Sequence, residues 1–196
     1  VQVIEAFLRA PPVDQTSWRR VLRRHPKPAG GFFSKTEIIA GFRHFKSTYA
    51  WSMSEAQFIA LMKMKPTRTQ SGVAPVTVLT KPFPCPGQCI FCPNDVRMPK
   101  SYLADEPGAQ RATLNRFDPY AQTWNRLLAL HRMGHSVEKV ELIVLGGTWS
   151  AYPRAYQIYF VTRCFEAVNA FGRSDNPQPH HPDEGSRPDF LDLARA

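Results

Sequence analysis

Apolar residues recur at helical spacing through the first third of the chain, then give way to β-branched runs. Up to about residue 65 the reading is helical throughout. A first short helix ends at Pro11–Pro12. A second runs through Trp18-Arg19-Arg20-Val21-Leu22-Arg23-Arg24, capped by Asp14 or Ser17 and stopped by Pro26 and Pro28. Gly30–Gly31 marks a turn. Ser34 caps a third helix, with Glu37 at capping-box spacing and Ile38, Ile39, Phe42 and Phe45 at helical period. Ser54 starts a fourth, which carries Phe58, Ile59, Leu61 and Met62 and ends at Pro66.

Residues 73–80, Val-Ala-Pro-Val-Thr-Val-Leu-Thr, are rich in β-branched side chains and predict a strand, with Pro75 near its start or on an edge. A cysteine-bearing segment follows. Residues 93–118 read as a long, polar, proline-dotted loop. Residues 119–133 predict a helix, with Pro119 in its first turn and Gly134 just past its end. Val140–Leu145 is mostly apolar, as a buried parallel strand should be, and it ends in Gly146-Gly147-Thr148. A further helix spans Pro153 to Phe171. Past Gly172 the sequence turns rich in Pro, His, Asp and Ser, so 173–196 is expected to be a flexible segment. There is no internal repeat.

The order strand, loop, helix, strand, helix describes the beginning of a parallel β/α barrel. The expected fold class is therefore α/β. A helical region over 1–72 precedes the first part of a barrel over 73–172. About two β/α units cannot close a barrel, and the chain opens at valine rather than methionine, so a longer protein is expected.

Composition narrows the class. With 43% hydrophobic and 21% charged residues the chain reads as soluble and globular. No apolar run suits a membrane span, and Val1–Leu8, which contains Glu5, does not suit a signal peptide. A cytoplasmic location is expected. The net charge is +9, and its distribution is uneven. Residues 1–81 hold 13 Lys and Arg against 4 Asp and Glu, whereas residues 82–196 hold 12 of each. A basic region ahead of a neutral one suggests a polyanion-binding module on a neutral body, with a merely basic, solvated surface as the plainer reading.

Three of the four cysteines fall in Cys85-Pro-Gly-Gln-Cys89-Ile-Phe-Cys92. This spacing is CxxxCxxC. A 4Fe–4S cluster normally takes four thiolates, so three leave one iron without a protein ligand. That iron can be chelated by the amino and carboxylate groups of S-adenosylmethionine. Electron transfer then breaks the carbon–sulfur bond and gives a 5′-deoxyadenosyl radical, with the protein positioning the cofactor and excluding water. Pro84, Pro86, Gly87 and Pro93 supply the turns that let three thiolates converge. Phe91 stands where this motif usually carries an aromatic that can pack near the adenine. Structural zinc is the alternative, but it normally wants a fourth ligand, and no histidine lies within 30 residues of Cys92. The glycine pair after the second strand favours iron and sulfur, because it exposes backbone to the methionine end of the cofactor. Cys164, with Phe160, Phe165 and Val168 at helical spacing, reads as a core thiol.

Several motifs in order resemble one family. Lys65-Pro-Thr-Arg-Thr-Gln-Ser-Gly-Val-Ala-Pro-Val-Thr-Val-Leu-Thr-Lys81 resembles the start of the radical-SAM domain of the Elongator catalytic subunit in its bacterial and archaeal single-protein form. So do Tyr102–Pro107, Arg116–Gln122, Gly134–Lys139 and Glu141–Thr148. The resemblance covers roughly residues 20–171.

It implies modification of the wobble uridine, position 34, of tRNA to 5-carboxymethyluridine, with acetyl-CoA as acetyl donor. By position in the motifs, Cys85, Cys89 and Cys92 carry the cluster, and Gly146, Gly147 and Thr148, with Phe91, line the S-adenosylmethionine site. Lys139 falls where the family has a lysine linked to acetyl-CoA; residue by residue it reads as a surface lysine at a strand start. The basic front would bind the tRNA anticodon stem-loop through Arg19, Arg20, Arg23, Arg24, Lys27, Lys63, Lys65, Arg68 and Lys81. Trp18 and Trp51 are read as core residues rather than base-stacking ones. In the single-protein form accessory subunits are not required, and a homodimer is compatible.

Two departures stand out. The family's acetyltransferase domain follows the barrel and is absent from this chain. The first cysteine gap is three residues, where several family members space it more widely. The remaining alternatives are a radical-SAM enzyme acting on another RNA, and a non-catalytic, zinc-containing tRNA-binding protein.

Overall fold

The four N-terminal helices form where the sequence supplies both a cap and an apolar stripe. The computed structural model describes residues 1–63, 65–93 and 95–182. Helices α1 (Gln2–Arg9), α2 (Gln15–Arg24), α3 (Lys35–Tyr49) and α4 (Glu55–Met62) lie in the first of two compact units, Val1–Gly72 with Leu130–Ser136. Asp14 is the N-cap of α2, and Ser17 closes a reciprocal capping box with it. Ser34 with Glu37 caps α3, and Ser54 with Gln57 caps α4 in the same way. The apolar stripes meet in one core built from Ile4, Phe7, Trp18, Leu22, Ile38, Ile39, Phe42, Phe58 and Met62. Trp18 is buried and stacks on Phe7 at 4.5 Å, while half-buried Trp51 stacks on Phe42 at 5.1 Å.

The second unit comprises Val73–Ala129 and the described residues from Val137 onward. It contains β1 (Ala74–Leu79), α5 (Pro107–Leu114), most of α6 (Pro119–Arg132), β2 (Val140–Leu145) and α7 (Arg154–Gly172). The strands pair in parallel, from Ala74 opposite Val140 to Leu79 opposite Leu145. Ala74 N donates to Lys139 O and Thr80 N to Leu145 O, so even-numbered residues of β1 face β2. The missing N–H of Pro75 therefore falls on the other side, where it breaks no ladder bond. On that side Leu79 meets the buried side chain of Gln122, which accepts from its N–H at 3.0 Å and donates to its carbonyl at 2.9 Å.

The mixed helix-and-sheet architecture with a small parallel sheet is α/β, as the sequence predicts. Two details differ. Residues 93–118 are not all loop, because α5 begins at Pro107 and buries Ala109 and Ala112. Proline at the first helical position needs no N–H donor, so it starts this helix rather than preventing one. Strand β2 is also less buried than its apolar sequence predicts: Glu141 and Val144 are exposed. Among the described residues it pairs with β1 alone. On α7, Tyr156, Phe160, Cys164, Ala167 and Phe171 form the buried face. Phe165, read beside Cys164 in the core, is 58% exposed.

Of the segment 173–196, residues 173–182 are described. They carry no helix or strand beyond the end of α7, yet Trp124 Nε1 donates to Gln178 O and Asn125 Nδ2 to His180 O. No helix among the described residues is long and apolar enough to cross a membrane.

Candidate cofactor site

Because β1 and β2 run parallel and in register, their C-terminal ends deliver two loops to one place. The cysteine segment leaves β1, and Gly146-Gly147-Thr148 leaves β2. Between them opens a cavity of about 540 Å³. Cys85, Cys89 and Cys92 all line it, as do Gly146, Gly147 and Thr148. Gly87 and Gln88 of the cysteine segment, with Lys100 and Ser101 from the loop before α5, complete that lining.

The spacing of small residues keeps this cavity open. A β-carbon on Gly87 would touch Cys85 Sγ at 3.5 Å and Cys89 Sγ at 3.8 Å, so the two sulfurs flank this position. One on Gly147 would stand 3.4 Å from Lys100 Cβ and 3.9 Å from Cys85 Cβ. Gly146 has φ of +156°, and a β-carbon there would run into the Thr80 side chain.

The thiols are chemically distinct. Cys85 Sγ lies 3.3 Å from Thr148 Oγ1. That contact, then backbone N–H groups of Gly87 and Thr148, and last the charge of Lys100, hold its thiol below the ordinary value. Cys89 is exposed and Cys92 half-buried. Cys164 is buried on α7, where desolvation pushes its thiol up to about 11. Among the described residues no three His, Cys, Asp or Glu side chains converge on a single-ion site.

Two tyrosines fix the start of the cysteine loop. Tyr152 OH donates to Lys81 O at 2.9 Å, which leaves its oxygen to accept from Thr80 Oγ1 at 2.7 Å. Tyr156 OH accepts from Lys81 N at 3.1 Å. Burial raises the pKa of both phenols, so they stay neutral donors and acceptors. Phe83 stacks on Tyr152 at 4.9 Å. Thr80, Lys100, Ser101, Gln122, Tyr152 and Tyr156 escaped the sequence reading. Tyr152 precedes α7 in extended backbone and Tyr156 sits in its first turn, so no helical periodicity in the sequence links the two.

Other expected site residues lie elsewhere. Phe91 is 86% exposed and lines no part of the cavity. Lys139 is exposed at the opposite end of β2, roughly 20 Å away at about 3.3 Å per strand residue. In the first unit Arg19, Arg20, Arg23 and Arg24 line one groove on α2 with Thr16, opposite the buried face of Trp18 and Leu22. Lys27 is occupied differently, pairing with Glu37 at 2.6 Å. Lys63 is half-buried at the end of α4, Lys65 is exposed, and Arg68 is half-buried in the 3-10 turn Pro66–Thr69. Lys81, in the second unit, is half-buried, its backbone held by the tyrosines.

No family model matches the chain. Individual relatives do. It is 42% identical over 132 residues to a tRNA uridine(34) acetyltransferase of Methanocaldococcus jannaschii, covering 64% of this chain and 24% of that protein. It is 45% identical over 105 residues to the protein of the same name from Dehalococcoides mccartyi, covering 54% and 23%. Elongator complex protein 3 of Bos taurus is 42% identical over 119 residues, covering 55% and 22%. The chain thus spans about a quarter of the length of the curated relatives it matches. Over the stretch they share, the chain is similar to proteins named tRNA uridine(34) acetyltransferase and Elongator complex protein 3.

Proposed function

We propose that this chain is the front part of an enzyme that modifies the wobble uridine of tRNA, with S-adenosylmethionine, a 4Fe–4S cluster and acetyl-CoA. The observation that carries this reading is the meeting of Cys85, Cys89 and Cys92 with Gly146–Thr148 around one cavity at the ends of two parallel strands. When bound there, the cluster supplies one-electron reductive cleavage of S-adenosylmethionine.

The chain's own residues have definable tasks. Cys85, Cys89 and Cys92 hold the cluster through thiolates, and Thr148 favours the thiolate form of Cys85. Gly146 and Gly147 leave room for the cofactor's amino-acid end. Tyr152 and Tyr156 hold the strand end from which the cysteine loop departs. The elements β1, α6, β2 and α7 then form the opening units of a radical-SAM barrel. The arginine groove of α2 takes tRNA phosphates, and Lys139 contacts acetyl-CoA on the strength of the family resemblance. The product is 5-carboxymethyluridine, and the setting is cytoplasmic.

Anaerobic reconstitution of the full-length protein tests the reading. Iron and sulfide content is measured first. Release of 5′-deoxyadenosine is then followed with tRNA and acetyl-CoA added separately and together. Release stimulated by either supports the reading. Zinc in place of iron, with no cleavage, reduces the chain to a tRNA-binding protein without catalysis.

A further inference from the structure

We propose that Lys100 is the charge-setting residue of this site, a cavity-lining lysine whose charge raises the reduction potential of an iron–sulfur cluster held by Cys85, Cys89 and Cys92. The proposal rests on the cluster assignment above and goes beyond it to a residue that no motif singles out.

Three thiolates bring three negative charges into one cavity, and reduction adds an electron to that anionic assembly. A nearby cation stabilises the reduced form more than the oxidised one, so net charge beside a cluster sets its potential. Among the described residues lining the cavity, Lys100 is the only cationic one. On the same loop Arg97 pairs with Asp95 through two side-chain bonds of 3.0 and 2.8 Å.

Its position is built rather than accidental. Met98 and Pro99, directly before it, are buried, and Met98 packs with Leu79, Ala109 and Ala112. Tyr102 N donates to Pro99 O at 3.2 Å and closes a turn around Lys100. Ser101 adopts φ of +78°, a conformation that costs energy for a residue with a side chain and is held only by its surroundings. Gly147 lies against Lys100: a β-carbon there would be in contact with Lys100 Cβ at 3.4 Å. Lys100 and Cys85 thus line the same cavity, with Gly147 close to the β-carbons of both.

The test is a potentiometric titration of the reconstituted full chain, with dithionite as one-electron reductant and the reduced cluster read by electron paramagnetic resonance. Wild type is compared with Lys100→Met, Lys100→Gln and Lys100→Arg. The expected result is a shift to more negative potential, similar in the Met and Gln proteins and absent in the Arg protein, with iron content unchanged. Equal potentials in all four overturn the proposal, as does an Arg protein that shifts with the neutral ones. Neutral variants that fail to load iron while Lys100→Arg loads overturn it in favour of a role in assembly. A wild-type protein that takes up no iron and sulfide sinks the cluster assignment itself and this inference with it. A loaded cluster whose potential ignores Lys100 sinks only the inference.

Discussion

The side chain of Thr80 fills the space that a β-carbon on Gly146 would need, and its hydroxyl is held there by Tyr152. The two residues end neighbouring parallel strands, so any side chain at 146 must push the strand ends apart or displace the threonine. Gly146→Ala should destabilise the fold by about 1–3 kcal/mol, as overpacking does. If the proposed S-adenosylmethionine site lies at this turn, binding by the reconstituted protein should weaken as well. Thr80→Ala in the same chain should recover part of the loss. A thermal-melt double-mutant cycle checks this, and additive losses would contradict it.

Gln122 takes the place of a neighbouring strand for Leu79. Its amide satisfies one N–H and one C=O on the side of β1 away from β2, and it is 5% exposed. Gln122→Leu keeps the bulk but orphans both backbone groups, at a cost of about 1–3 kcal/mol each. Gln122→Glu keeps an acceptor for the N–H and should fall between. Urea unfolding of the three proteins gives the order, and a Leu variant as stable as wild type would remove Gln122 from the sheet's support.

How much of this was readable in the sequence depends on how local each signal is. Caps, helical stripes and β-branched runs act over a few residues, so α1 to α4, β1, β2, α6 and α7 all follow from them. Helix α5 did not, because its buried face is only Ala109 and Ala112 and its opening Pro-Gly reads as a breaker. The cysteines and the glycine turn announced themselves by spacing. Lys100 and Gln122 have ordinary neighbours, and each gains its role from a strand end distant in sequence. The exposure of β2 was hidden for a related reason: an apolar strand carries the same residues whether one flank or two are covered.

The four thiols should separate by reactivity in the protein before reconstitution. Cys89 is exposed, Cys85 is held low by Thr148, and Cys164 is buried and pushed up to about 11. The thiolate is the nucleophile, so iodoacetamide should label Cys85 and Cys89 in the native protein and Cys164 only after unfolding. As pH falls through the ordinary thiol range, labelling of Cys85 should decline less than labelling of the same cysteine in the unfolded chain. Mass spectrometry of tryptic peptides resolves the sites. Early labelling of Cys164 would place it outside the core.

Glu37 links the capping of α3 to pH. Lys27, first, and then the Ser34 N–H and hydroxyl hold its carboxyl down at about 2. A depressed carboxylate stabilises the fold fully above its unfolded value of about 4.3, and that contribution fades as pH falls toward 2. The side chain is 48% exposed, so solvent screening keeps the effect to about 1 kcal/mol or less. Glu37→Gln should therefore lower stability slightly at neutral pH and flatten the acid limb of the stability curve. Parallel acid limbs for wild type and variant in denaturant titrations would refute the linkage.

The arginine groove on α2 makes a sharper prediction than its charge alone. Arg19, Arg20, Arg23 and Arg24 are all exposed along one face, while Trp18 and Leu22 on the same helix are buried. Replacing all four with Gln should leave the core intact and the melting temperature nearly unchanged. If the groove takes tRNA phosphates, each lost contact should lower the slope of log affinity against log salt by about 0.7–0.9, for a total of about 3 if all four engage. The replacement of Lys27, already paired with Glu37, should change that slope little. Filter-binding or anisotropy measurements over a salt series read both slopes. A slope unchanged by the fourfold replacement would move the tRNA surface away from α2, whereas a loss shared equally with Lys27 would show diffuse attraction by the whole basic unit rather than a built groove.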